Sequence, residues 1–427
     1  MIENTKNLVQ RTILPQIIKH LEVPEITIIT GSRQVGKTTL LFQLKDFLLK
    51  KGVPESNILI FNLDILSDLE LFTDQEDFIK FLKERISKEK LFVFVDEAQR
   101  VKNAGIFFKG VYDLNLPVKL VLTGSSSLEI RAKIHESLTG RKRLFHLYPF
   151  SFQEYLSTKD KTLEELIFKK EISPYSQKLF QAHLLDFIIW GGYPKVVLET
   201  NIQEKYQILK EIYSSYLDKD IIGFLKIREP VTFTKLLNLL AGQIGQLVNF
   251  YELSNTIRIT YRTLEKYLNI LEKTFIVQRI PPFFKNYRKE LTKMPKIYFF
   301  DTGIRNFTIH SFKNFEERTD KGQLLENFIF SEISKKTDIK IHFWRTKDKA
   351  EVDFVLIDRL GEILPVEIKA VSLKTGEISR SFRSFIKRYQ PKQAIVANLG
   401  FCGEIKIDKT QIIFIHPYEI GRILEEL

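Results

Sequence analysis

Ile26-Thr-Ile-Ile-Thr30, Gly31-Ser-Arg-Gln-Val-Gly-Lys-Thr38 and Thr39-Leu-Leu-Phe-Gln-Leu44 follow one another without a break. The first is a β-branched run with the composition of a buried strand, and the last has helical apolar content. The eight residues between them read G-x-x-x-x-G-K-[ST] in strand–loop–helix context. Gly31 and Gly36 let the backbone curl, so that the N–H groups of Ser32, Arg33, Gln34, Val35 and their neighbours through Thr39 point inward at phosphate oxygens. The helix N-terminus that follows adds a favourable dipole. Lys37 is expected to reach the β- and γ-phosphates, and the Thr38 hydroxyl to ligate Mg²⁺.

Leu91-Phe-Val-Phe-Val95 is a second apolar strand, and it ends in Asp96-Glu97. Acidic residues at the carboxyl edge of such a strand sit where parallel α/β sheets bind ligands. Asp96 is the natural Mg²⁺ carboxylate, direct or second-shell, and Glu97 is placed to orient an attacking water. A solvated acidic pair at a strand end is the plain alternative. Val118-Lys-Leu-Val-Leu-Thr123 runs into Gly124-Ser-Ser-Ser127, where Ser125 or Ser126 is the candidate sensor of the γ-phosphate; small turn residues would look the same. Three apolar strands alternating with helical segments predict a parallel sheet flanked by helices.

The 427 residues, 44% hydrophobic and 28% charged, suit about two to four globular domains. No 18-residue apolar run is present, so no membrane span is expected. The opening residues lack a secretory apolar core. Cys402 stands alone, which excludes an internal disulfide and a Cys-rich zinc site. The expected location is the cytoplasm. A net charge of +12 favours polyanionic partners, or simply solubility. The seven histidines never fall at metal-ligand spacing, and Gly124-Ser-Ser-Ser127 is no serine-hydrolase elbow.

Together the loop Gly31–Thr39, Val95-Asp-Glu-Ala-Gln99 and Leu122-Thr-Gly-Ser-Ser126 resemble a family of prokaryotic AAA-type P-loop ATPases. Leu138-Thr-Gly-Arg141, Tyr148-Pro-Phe-Ser-Phe-Gln-Glu-Tyr155, Gly191-Gly-Tyr-Pro194, Lys219-Asp-Ile221 and Pro295-Lys-Ile-Tyr-Phe-Phe-Asp-Thr-Gly303 extend the resemblance along nearly the whole chain. In that family the ATPase precedes a C-terminal domain of unknown function that resembles restriction-endonuclease-like nucleases. The resemblance implies ATP rather than GTP, and a ring or other homo-oligomer. It also implies that Arg141 contacts the γ-phosphate, within or across a subunit boundary; a solvated basic turn is the equal alternative.

Residues 156–229 read as a helical lid, broken at Gly191-Gly192. From Pro230 the pattern predicts short helices over Phe233–Leu240 and Tyr251–Ile257 and a third over Tyr261–Lys273, capped by Thr260. In the third helix Leu264, Leu268 and Leu271 form the buried stripe, leaving Arg262, Lys266 and Asn269 on other faces. Thr274–Ile280 alternates like a strand, so the segment 230–300 suggests a winged helix. Within it, residues 281–300 carry Lys285, Arg288, Lys289, Lys293 and Lys296 interleaved with Phe283, Phe284 and Tyr287. This is the strongest nucleic-acid patch in the sequence, a solvated basic hairpin being the plain reading.

In the C-terminal part, Glu326 stands among apolar neighbours in Gly322–Phe330, and a lone buried carboxylate is costly unless paired or metal-bound. Period-two alternation puts Glu351 and Asp353 on one face of a strand, and Glu367 and Lys369 on one face of the next. Asp353 and Glu367 are therefore candidate Mg²⁺ ligands, with Glu326 completing the shell and Lys369 positioning or deprotonating the water. The set resembles the PD-(D/E)xK nuclease core, with Val352 where the usual proline would stand. Charged residues on the wet faces of half-buried strands are the plain alternative.

The expected fold is α/β, with an AAA-type P-loop core over 1–155, a lid over 156–229, a winged-helix-like domain over 230–300 and a nuclease-like domain over 301–427. The expected function is Mg²⁺-dependent ATP hydrolysis coupled to DNA contact, with metal-dependent DNA cleavage as an open second activity. The alternative is a nucleotide-switched protein-interaction module with an inactive nuclease-like domain. DNA, a protein partner and further copies of the chain are the partners considered, and a membrane is not.

Overall fold

The computed structural model describes residues 8–86, 89–124, 138–169, 172–216, 230–284, 294–335 and 339–426. The chain divides into two compact units, Met1–Tyr148 and Pro149–Leu427. Among the described residues no helix is long and apolar enough to cross a membrane.

In the first unit β1 (Ile26–Thr30), β2 (Ile58–Asn62), β3 (Leu91–Asp96), β4 (Val118–Gly124) and β5 (Lys142–His146) pair in the order β2-β3-β4-β1-β5. Every pairing is parallel. β1 and β3 are buried along their whole length, which is why they read as apolar runs rather than as alternations. Helix Gln75–Arg85 starts at Asp74, whose side chain accepts from the Asp77 amide. It packs Phe78 against Phe72 and Phe107, beside Phe108. Each such ring, fully buried, contributes about 1.5–3 kcal/mol.

In the sheet β2 lies to one side of β1, the strand it follows in the chain, whereas β5 lies to the other side of β4, the strand it follows. That reversal sets the carboxyl ends of β1, β4 and β3 side by side at a switch point, where open α/β sheets bind ligands. Strand order, parallel pairing and the loop after β1 define a P-loop NTPase fold.

The second unit opens with a capping box, Ser151 and Glu154, on helix Phe152–Lys159. The Phe152 amide donates to Glu332 Oε2 at 3.1 Å, and Lys335 Nζ donates to the Phe150 carbonyl at 2.9 Å. Asp301 accepts from the amides of Gly192 (2.7 Å) and Ile304 (2.9 Å). The motifs Gly191-Gly-Tyr-Pro194 and Phe300-Asp-Thr-Gly303 thus meet in one structural joint. Lys219-Asp-Ile221 lies outside the described residues.

Helices Pro230–Gly242, Phe250–Thr256 and Tyr261–Lys273 precede an antiparallel ribbon of β6 (Val277–Ile280) and β7 (Lys296–Phe299). Thr260 caps the third helix by accepting from the Thr263 amide, and Leu264, Leu268 and Leu271 are buried. β6 begins at Val277 rather than Thr274, because Thr274 caps the helix and Phe275 turns the chain through φ +60°.

The C-terminal sheet contains β8 (Lys340–Arg345), β9 (Glu351–Ile357), β10 (Ile363–Lys369), β11 (Gln393–Asn398), β12 (Gly403–Ile407) and β13 (Thr410–Ile415). Its order is β12-β13-β11-β10-β9-β8. β10, β11 and β13 run parallel, and the other pairings are antiparallel. Helix Arg380–Tyr389 connects β10 to β11, and its Phe382, Phe385 and Ile386 share a core with Phe283, Trp344 and Val352.

Phe283, one of the aromatics interleaved with the basic stretch 281–300, packs in this core. Lys296, counted above in the basic patch, is only 1% exposed, because it is drawn into a buried ion network. Lys285, Tyr287, Arg288, Lys289 and Lys293 lie outside the described residues.

Candidate functional site

Each unit carries one candidate site. In the first, β1 delivers the chain to Gly31, where a Cβ would lie 2.1 Å from the Leu147 carbonyl oxygen, so only glycine fits against the exit of β5. The loop turns back through Gly36, which caps helix Lys37–Lys50 in a left-handed conformation (φ +93°). Lys37 is buried and donates to the carbonyls of Ser32 (2.8 Å) and Gly31 (3.1 Å). Its ammonium therefore sits inside the loop, at the start of the helix. Arg11 braces the same loop, donating to Val35 O at 2.7 Å and Tyr148 O at 2.6 Å.

Parallel pairing through β4 carries the end of β3 to this loop. The Thr38 hydroxyl donates to Asp96 Oδ2 at 2.5 Å, and the Thr123 hydroxyl donates to Asp96 Oδ1. Thr123 Oγ1 also accepts from the Glu97 amide at 3.2 Å. Glu97 takes φ +56°, and its side chain accepts from Gln99. Gly31, Ser32, Arg33, Gln34, Val35, Gly36, Thr39, Lys37, Thr38, Asp96 and Glu97 therefore belong to one neighbourhood at the carboxyl edge of the sheet. Ser125 lies outside the described residues. Arg141 pairs with Asp113 at 2.6 Å.

Sequence reasoning missed Thr123 and Arg11. Thr123 had a signal, a polar residue closing an apolar strand, but it stood next to a run of serines that drew the sensor role. Arg11 has no local signal, since its role is made by contacts 24 and 137 residues away.

In the second unit, Lys296 Nζ lies 2.9 Å from Glu326 Oε1 and 2.7 Å from Glu351 Oε1. Tyr298 donates to the same Glu326 oxygen, and Arg345 pairs with Glu351 Oε2 at 2.6 Å. Asp353 Oδ2 accepts from the Ile368 amide at 2.7 Å. Glu367 pairs with Lys369 at 2.9 Å, while its Oε2 is buried with no hydrogen-bond partner among the described residues. Burial, reinforced by the charges of Glu326 and Glu367, pushes the Asp353 carboxyl up to about 8. Burial alone would depress the Lys296 ammonium, yet Glu326, Asp353 and Glu351 overcome it and hold its pKa above the ordinary lysine value. The sequence-predicted residues Asp353, Glu367, Lys369 and Glu326 are thus near one another. Among the described residues, however, no three His, Cys, Asp or Glu side chains converge as a metal-ligand group.

The fold and loop geometry define a P-loop NTPase-type protein. Residues 23–156 match a family model described as an AAA domain, which supports a nucleotide-binding ATPase. Residues 181–314 and 321–416 match two domains of unknown function, DUF8612 and DUF4143. An uncharacterized protein of Haemophilus influenzae is 26% identical over 409 residues, covering 94% of this chain and 96% of that one. One from Methanocaldococcus jannaschii is 27% identical over 416 residues, covering 92% and 87%. Among solved structures, the Aeropyrum pernix ORC2 protein in its ADP form is 14% identical, covers 65% of this chain and 89% of its own, and gives a TM-score of 0.35. At that level the likeness carries no conclusion about activity.

Proposed function

We propose that this protein is a Mg²⁺-dependent ATPase whose nucleotide state governs contact with DNA. The observation that carries the ATPase part is the Thr38–Asp96 hydrogen bond set beside the Lys37 ammonium. The hydroxyl and carboxylate oxygens are hard donors at one point, the donor chemistry that Mg²⁺ takes. The chemistry a bound Mg²⁺ supplies there is charge neutralisation on the β- and γ-phosphate oxygens.

In this reading the loop amides and Lys37 bind the phosphates, Thr38 and Asp96 hold the cation, and Glu97 orients the attacking water. Thr123 keeps Asp96 and the Glu97 backbone in place. Arg141 exchanges its Asp113 partner for the γ-phosphate, in its own subunit or in a neighbouring copy. Lys37→Ala is expected to abolish tight ATP binding or turnover; normal turnover in that variant would sink the assignment.

The DNA part is supported by helix Arg380–Tyr389, which carries no acidic residue. Arg380, Arg383, Lys387 and Arg388 are exposed on it, and none has an ion-pair partner among the described residues. A row of unpaired cations over an apolar underside suits phosphate contact. ATP hydrolysis measured with and without single- and double-stranded DNA at two salt concentrations tests the coupling. Salt-sensitive stimulation is the expected result.

The second reading, a nucleotide-switched protein-interaction module, is favoured by Lys296 lying among the C-terminal carboxylates. Turnover indifferent to DNA, with no DNA binding at low salt, would select it.

A further inference from the structure

Three elements meet at one buried ammonium. Lys296 opens β7, Glu326 lies on helix Lys321–Ser334, and Glu351 and Asp353 share one face of β9. Glu367 and Lys369 follow on the neighbouring β10. A nuclease-type cluster of this kind is expected to take a divalent cation, which would neutralise the carboxylates and activate water. Here the ammonium already holds Glu326 and Glu351 at hydrogen-bond distance. The second Glu351 oxygen is taken by Arg345, and one Glu367 oxygen by Lys369. A doubly charged ion beside Glu326 would meet an unscreened ammonium within a few ångströms, an arrangement that low-dielectric surroundings penalise.

We infer that Lys296 is the resident cation beside this cluster, its ammonium holding Glu326 and Glu351 away from any shared metal, so that the C-terminal sheet is an ion network that does not cleave DNA. The inference rests on the nuclease-like reading of this sheet. An ammonium neutralises carboxylates but has no open coordination position, so it cannot generate a metal-bound hydroxide. What it does instead is mechanical. Because Lys296 belongs to β7, the network ties the β6–β7 ribbon to the six-stranded sheet. The isolated bridge between Pro282 and Phe343 adds a backbone link in the same place.

The test uses the full chain carrying Thr38→Ala, without nucleotide, so that the P-loop contributes no cation site. Mn²⁺ is titrated and followed by water-proton relaxation, and melting is recorded with millimolar Mn²⁺ and with EDTA. The expected result is no Mn²⁺ binding that depends on Asp353, and the same melting midpoint in both solutions. Lys296→Met is expected to lower the midpoint by about 5–15 °C, because it leaves buried carboxylates unpaired. Mn²⁺ is then expected to restore part of that loss, and Asp353→Asn in the same chain to abolish the restoration. Should Lys296→Met prove insoluble, Lys296→Met/Glu326→Gln removes both charges together and takes its place.

Mn²⁺ binding to the Lys296-containing chain that Asp353→Asn abolishes would overturn the inference while leaving the nuclease-like reading standing. Metal-dependent DNA nicking lost in Asp353→Asn would do the same. Undiminished stability in Lys296→Met, with no metal bound in either chain, would overturn both.

Discussion

Thr38 and Asp96, 58 residues apart in sequence, are joined by a 2.5 Å hydrogen bond from the threonine hydroxyl to the carboxylate. The bond closes the first turn of a helix onto the end of a strand two places away in the sheet. Thr123 holds the other oxygen of the same carboxylate from the strand in between.

Thr123→Val keeps the shape of the side chain but removes the donor to Asp96 and the acceptor for the Glu97 amide. Such a supporting residue typically affects metal affinity or activity by about 10–100-fold. The expected signature is a loss of that order in turnover, partly recovered by raising Mg²⁺, with the melting midpoint little changed. Steady-state ATPase rates across a Mg²⁺ series check it.

Arg383→Glu/Lys387→Glu reverses two charges on the free face of helix Arg380–Tyr389 while leaving Phe382, Phe385 and Ile386 in the core. DNA affinity should fall at least tenfold at low salt, and the slope of log affinity against log salt should flatten by about two, since each phosphate contact contributes roughly one. Fluorescence anisotropy with a labelled duplex measures both. Basal ATP hydrolysis without DNA should be unchanged.

The Asp301 joint is a stability element. Asp301→Ala removes the acceptor for the buried Gly192 and Ile304 amides, and a buried donor left unpaired costs about 1–3 kcal/mol. A fall in the denaturant midpoint of the second unit, with nucleotide affinity retained, is the expected outcome. An unchanged midpoint would show the joint to be dispensable.

Asp353 predicts a pH dependence of known sign. Its carboxyl is pushed up to about 8 in the folded chain, against an ordinary value of about 4. Between those values the folded state binds more protons than the unfolded state, so this group makes stability fall as pH rises through the window. Asp353→Asn should flatten that fall, so its stability relative to the parent chain should grow from pH 5 to pH 9. Urea midpoints at the two pH values give the comparison.

The elements that local chemistry specifies were legible in the sequence. Ile26–Thr30 is a strand, and Thr260 caps a helix running Tyr261–Lys273. The P-loop residues stood out because their spacing encodes one backbone shape. Period-two alternation grouped Glu351 with Asp353 and Glu367 with Lys369, but it gave no sign that Glu367 is buried. Lys296 was misread as part of an exposed patch because charge in a sequence carries no information about depth. A lysine flanked by Pro295 and Ile297 looks the same whether it meets water or three acids from distant elements.

The sequence by itself determined the phosphate-binding loop, the strand ends that carry Asp96 and Glu97, and the general order of helices and strands, because each depends on neighbours within a few residues. Only the tertiary structure decided that Thr123 supports Asp96, that Arg11 braces the loop, and that Lys296 is the counter-ion of Glu326 and Glu351. The physical reason is that a hydrogen bond or ion pair between distant segments is set by where folding brings them, and burial then decides how strongly it counts.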